Sequence, residues 1–207
     1  MQHPSRTNLI TPAFPGEGIP VAPSCTPRLG MILGAGQHVQ EDGGTNLYHL
    51  CVVDLDAQDV PLALIRMNFF GHGIAVNPLN PELISVFEKR GKGACEINLR
   101  EARVTRAIQT ASKREFYGHG AYSPCGDLLY STETVMEEER TGLIAVRDAG
   151  THDYLGEFPS YGASPHDCRL IDNGTTMVIS NGGGKLSGIP PNVTYVDIES
   201  EKLLEKL

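Results

Sequence analysis

Apolar and polar residues alternate along most of this chain in runs too short for helices. Residues 47–56 read LYHLCVVDLD, 61–67 PLALIRM, 83–88 LISVFE, 128–132 LLYST and 193–198 VTYVDI. Runs of this length, rich in β-branched and aromatic residues and bounded by Gly, Pro, Asn and Asp, predict strands. Further strands are expected at 30–36, 72–76, 95–99, 104–110, 119–122, 143–147, 154–158, 168–171, 177–180 and 203–207. The Asp-Gly and Gly-Gly pairs within QEDGGTN at 40–46 suit a hairpin turn.

Two segments have helical propensity, PELISVFEKR at 81–90 and ESEKLLEKL at 199–207. A repeat decides the first of them. GHGIAVNP at 71–78, GHGAYSP at 118–124 and SPHDCRLID at 164–172 share one outline: a histidine, a short apolar stretch, then a turn. His119 follows His72 by 47 residues, and His166 follows His119 by the same 47. With this register, 83–88 aligns with 128–133 and 177–181, whose Tyr, Thr, Val and Ile prefer strands, so all three are read as strands.

A fixed period of about 40–50 residues with four short strands per unit is the signature of a β-propeller. The expected architecture is therefore all-β, with about four blades or a partial ring in 207 residues. Residues 1–29 are read as an irregular arm with a short extended piece at 19–22, and 30–207 as the repeats, divided near 30–70, 71–117, 118–163 and 164–207. Unmatched end strands would expose an edge, so a covering arm, a protein partner or self-association through those edges is expected.

Composition narrows the function classes. Apolar residues make up 40% and charged residues 20%, with 23 Gly and 14 Pro, as in a folded strand-and-turn protein. A net charge of −8 with scattered basic residues leaves no basic face for nucleic acid. No stretch approaches the roughly 20 apolar residues of a membrane span, and the acidic run at 137–140 reads as a solvated loop. The five cysteines form no CxxC pair and no readable disulfide framework. Cys51 and Cys95 are expected as core thiols; Cys168 stands out only by lying two residues after His166.

The candidate chemistry lies on the repeat. Equivalent positions in successive blades ring the central channel, which places His72, His119 and His166 at one mouth of it. Three imidazoles are suitable ligands for a transition-metal ion such as Zn, Cu, Fe or Ni. Glu88, Glu133 and Asn181 end the second strand of each unit and are expected nearby as ligand-binding residues, with Glu133 the candidate catalytic base. The histidines would serve equally as structural locks, each ring hydrogen-bonding across to the neighbouring blade. Asp167 is expected outside the site, because adjacent residues of a regular strand face opposite ways. His3, His38, His49 and His152 fall outside the repeat phase and receive no role. No GxSxG elbow or phosphate-loop spacing occurs.

The segments HGIAVNP, FYGHGAYSPCGDLLYSTE and GEFPSYGASPHDCRLIDNGTTMVISNGG resemble the bacterial domain of unknown function 1513 family, over about 47–183 and most densely over 116–183. The resemblance implies a YVTN/quinoprotein-like, seven-bladed-type propeller, exported by the twin-arginine route and encoded beside periplasmic iron-uptake components. It implies no activity that could be transferred. Periplasmic localisation follows from the resemblance, whereas the sequence read as complete has no signal peptide and would stay in the cytoplasm. The leading expectation is a ligand- or metal-binding accessory module linked to periplasmic iron handling, a binding protein before an enzyme, with a small ligand or a protein as partner. The rivals are a metal-dependent, lactonase-like hydrolase with a His-lined channel site, and a non-catalytic interaction scaffold.

Overall fold

The computed structural model describes residues 29–39, 44–57, 62–136, 141–184 and 188–207. The expected arm, Cys25, most of the 40–46 turn and the 137–140 charge run lie outside the described residues. Where it is described the chain is built of antiparallel strands, with a single turn of 3₁₀ helix at Asp172–Gly174 and no α-helix. Strands β1 (Met31–His38), β2 (Leu47–Asp54) and β3 (Leu62–Met67) form a three-stranded sheet. Three four-stranded meanders follow: β4 (Gly71–Val76) to β7 (Arg103–Ala107), β8 (Arg114–Tyr122) to β11 (Tyr154–Ala163), and β12 (Pro165–Ile171) to β15 (Leu203–Lys206).

Both helix-prone segments are extended. The first is β5 (Leu83–Gly91), which buries Ile84, Val86 and Phe87 completely. The second is the edge strand β15, paired with β14 (Asn192–Asp197). The strands add detail to the approximate divisions. β8 starts at Arg114, ahead of the histidine, so a division at 117/118 would cut through a strand. The meanders are also not fully separate: β5 runs past Glu88 and pairs with β8 through Lys89↔Tyr117 and Gly91↔Phe116, fusing the two sheets along one edge.

The alternation of strand side chains places the cores between successive sheets. Leu50, Val52, Ile65 and Met67 of the first sheet pack against Ile84, Val86, Cys95 and Ile97 of the second. Phe87 and Ile108 meet Phe116, Tyr122 and Leu129 of the third. Tyr130, Ile144 and Phe158 meet Cys168, Met177, Ile179 and Val196 of the fourth. The buried thiols of Cys95 and Cys168 are each pushed up to about 12 by desolvation, which leaves both protonated and inert at neutral pH. Cys51 is only half-buried.

A polar clamp crosses the second of these cores. Arg147 on β10 (Thr141–Asp148) and Glu133 on β9 (Leu128–Val135) are both fully buried and meet at 2.5 Å. The guanidinium also donates to Ser131 Oγ and the Gln109 carbonyl, and lies over the Phe116 ring. The second Glu133 oxygen accepts from Thr110 Oγ1 at 2.8 Å. Gln109 and Thr110 follow β7, so the pair ties the end of one meander to the heart of the next.

Breaking a buried pair leaves one charge unpaired and costs about 3–5 kcal/mol, whereas replacing both partners by apolar groups can be neutral. Glu133→Ala is therefore expected to destabilise by that amount in urea unfolding, and Glu133→Leu with Arg147→Met to recover most of the loss. A second prediction concerns Gly73 on β4. A Cβ there would stand 2.1 Å from the Gly118 carbonyl oxygen, whereas one at Gly156 meets nothing within 4 Å. Gly73→Ala is expected to cost about 1–3 kcal/mol, and Gly156→Ala less than about 0.5 kcal/mol, in the same assay.

Candidate metal centre

The first strands of the three meanders lie side by side, with β8 packed between β4 and β12. Each carries one phrase histidine, and each histidine sits where strand register breaks. On β4 the pairing runs Gly71↔Glu88 and then Gly73↔Phe87, which leaves His72 as an extra residue. On β12 it runs Pro165↔Asn181 and then Asp167↔Ser180, which leaves His166 extra in the same way. On β8 the shift spans Phe116 to Gly120 and contains His119. A β-bulge bends its strand and re-aims the side chain at that point. The repeated phrase thus encodes a repeated bulge.

The three rings converge. Their centroids are 5.0 Å apart for His72–His119, 5.0 Å for His119–His166 and 5.4 Å for His72–His166. One nitrogen from each lies within 4.8 Å of the other two. His72 Nε2 and His166 Nε2 are 3.3 Å apart. Two nitrogens bound at about 2.0–2.1 Å to one tetrahedral ion would stand about 3.4 Å apart. Close approach depends on glycine: Gly118 has φ +123°, and a Cβ there would meet the His72 ring at 2.8 Å.

The surroundings keep the rings neutral. Partial burial lowers the pKa of all three below the ordinary imidazole value. Lys89 adds to this at His72 and His166; at His119 the neighbouring Asp167 carboxylate opposes it. The Lys89 ammonium lies 2.9 Å from His166 Nε2. An ammonium can only donate, so that nitrogen presents its lone pair.

Asp167 is corrected. Its Oδ1 lies 3.6 Å from His119 Nδ1, so it borders the cluster rather than facing away. The bulge at His166 breaks the strict alternation on which the expectation rested. Asp167 also accepts from the Cys168 amide and lies 3.7 Å from Arg169.

The other site candidates are engaged elsewhere. Glu133 has both oxygens committed to the buried clamp, which removes the free carboxylate that a base requires. Glu88 accepts from the Gly93 amide across the β5–β6 (Ala94–Asn98) turn. Asn181 is buried, donating to the Ser160 carbonyl, Asn192 and Thr194. Register explains their misplacement. Glu88 and Asn181 pair with the residue before each bulged histidine, so they stay in the regular ladder while the histidine is turned out of it. Sequence reasoning missed Lys89, whose only signal is a basic residue directly after Glu88. His152, given no role, is buried 3.2 Å from Glu96, whose carboxyl it holds below the usual range.

Comparison with known proteins places the chain in a family without adding an activity. A search of curated proteins found no match. Among solved structures, hydrazine synthase of Kuenenia stuttgartiensis is similar over 80% of this chain and 46% of its own, with a TM-score of 0.62 and 18% identity. The chain thus spans under half the length of that structure, and at this identity the likeness concerns fold alone. A family model described as "Protein of unknown function (DUF1513)" matches residues 65–190, more than half the chain and all three histidine strands. The chain belongs to the DUF1513 family.

Proposed function

We propose that this protein is a metal-binding accessory module built on a β-propeller-type scaffold, with His72, His119 and His166 as protein ligands to one divalent transition-metal ion. The observation that carries the reading is the convergence of three imidazole nitrogens within 4.8 Å, each delivered by a register break on the first strand of a different meander. Three neutral nitrogen donors suit Zn, Cu, Fe or Ni and leave at least one coordination position open. The Asp167 carboxylate beside His119 fits the outer position that orients a ligating imidazole.

The propeller reading is supported by the stacking of four-stranded sheets with their cores between them, and by first strands that gather at one place. The resemblance drawn from the sequence favours periplasmic iron handling as the setting of the module. A hydrolase reading needs a base at the centre, and the commitment of Glu133 to Arg147 argues for binding over hydrolysis.

Purified protein titrated with Zn(II) or Co(II) is expected to take up one ion per chain. Changing any one of the three histidines to Ala should weaken binding at least about tenfold, whereas His152→Ala should leave affinity unchanged. Equal affinity in wild type and His119→Ala would overturn the assignment. Protons compete for the same nitrogens. Because the three pKa values lie below 6.5, affinity should hold down to that pH and fall only as pH drops through the lowered values. Calorimetric titration between pH 5 and 8 measures this.

A further inference from the structure

The charge around the histidine cluster has a consequence for what the centre binds besides metal. The three imidazoles bring no charge to a divalent ion. The charged side chains acting on the rings are Lys89, Asp167 and Arg169, so one carboxylate stands against two cations. Asp167 is itself shared with Arg169 at 3.7 Å. With a divalent ion in place the centre would carry an excess of positive charge in a partly desolvated setting, where such excess is costly.

Lys89 is the sharpest part of this imbalance. Its ammonium donates to His166 Nε2 at 2.9 Å, and that same nitrogen faces His72 Nε2 at 3.3 Å, inside the cluster. A metal ion would use the same lone pair, so Lys89 would lose its acceptor at the moment a second positive charge arrives beside it. The lysine cannot simply be displaced with its strand. Its backbone is fixed by pairing with Tyr117, at the edge where β5 joins β8 next to the His119 bulge. The side chain is exposed, and its long stem lets the ammonium swing while the backbone stays in place.

From this juxtaposition we infer that the metal centre takes a small oxyanion as its exogenous ligand, one oxygen on the ion and another accepting from Lys89. Carboxylate, carbonate and phosphate share the required chemistry: negative charge and two acceptor oxygens on one central atom. Such an anion restores the acceptor that Lys89 loses, fills the open position and cancels the excess charge. Metal and anion then bind with positive coupling, each tightening the other by the same factor. Lys89 is a binding residue for the anion and a competitor of the metal when the anion is missing. The inference rests on the metal reading above.

The test uses the full chain and Co(II), whose visible absorption reports its coordination. Co(II) is titrated in a non-coordinating buffer, then in the same buffer with acetate, bicarbonate or inorganic phosphate, for wild type and Lys89→Met. In wild type, at least one anion is expected to tighten Co(II) binding about fivefold or more and to shift the absorption band. In Lys89→Met the enhancement should vanish, while Co(II) affinity without anion should equal or exceed wild type. Lys89→Arg should keep the enhancement. The preferred anion among the three identifies the ligand class. Co(II) binding with no anion effect in wild type, or with the same effect in Lys89→Met, would overturn this inference and leave the metal centre standing. No Co(II) binding under any condition would overturn both.

Discussion

The structure depends on how closely β4, β8 and β12 can approach one another. Side chains on the facing backbones would hold those strands apart. At Gly73 there is no room for even one carbon, since its Cβ would lie 2.1 Å from a backbone carbonyl that cannot turn away. Gly118 does the same for the His72 ring and adds a left-handed backbone that few other residues adopt. Removing the Cβ atoms from one pair of facing positions brings the strands together. Placing a histidine on a bulge beside each glycine, or beside Pro165 on β12, then fills the space that results. The glycines and the histidines are two halves of one device.

The sheets outside that centre make it rigid. Each core lies between two sheets and is filled by residues from both, so neither inner sheet can tilt without opening a cavity in two places. The Arg147–Glu133 pair adds a directional constraint where packing alone is isotropic, joining β9, β10 and the segment after β7 through four hydrogen bonds. Desolvated ion pairs contribute little net stability but fix geometry, because any misplacement leaves a buried charge without its partner. A three-point site held to within a few tenths of an ångström needs that kind of support.

Much of the fold can be read from the sequence because strand periodicity is local. The run at 83–88 could not be separated from a helix by its own pattern, yet its repeat-mates settled it, and β5 is a strand. The histidine register is also legible, since a 47-residue spacing survives whatever the strands do in detail. What the sequence hides is the bulge. Alternation predicts Asp167 pointing away from His166 and carries Glu88, Glu133 and Asn181 towards the site. One extra residue on β4 and on β12, and two on β8, reverse part of that pattern. Glu133 illustrates a second limit. Its partner Arg147 lies on the next strand, and no local signal distinguishes a carboxylate awaiting a substrate from one already neutralised. Lys89 is invisible for a related reason: its place near His166 comes from the β5–β8 junction, a contact between units and not within one.

The histidines can be read as locks between sheets or as ligands, and their hydrogen bonds bear on the choice. A lock needs each ring to bond a group fixed on the neighbouring sheet, most simply a backbone carbonyl or amide. Here the contacts of the rings are with one another, with an exposed lysine and, at 3.6 Å, with Asp167. The work of locking is done elsewhere, by the apolar cores and the Arg147 clamp. Three partly exposed imidazoles turn towards a common point at the expense of regular pairing in three strands. The distortion is explained if the common point is where a ligand sits, which is why the centre and not the scaffold is the place to look for function.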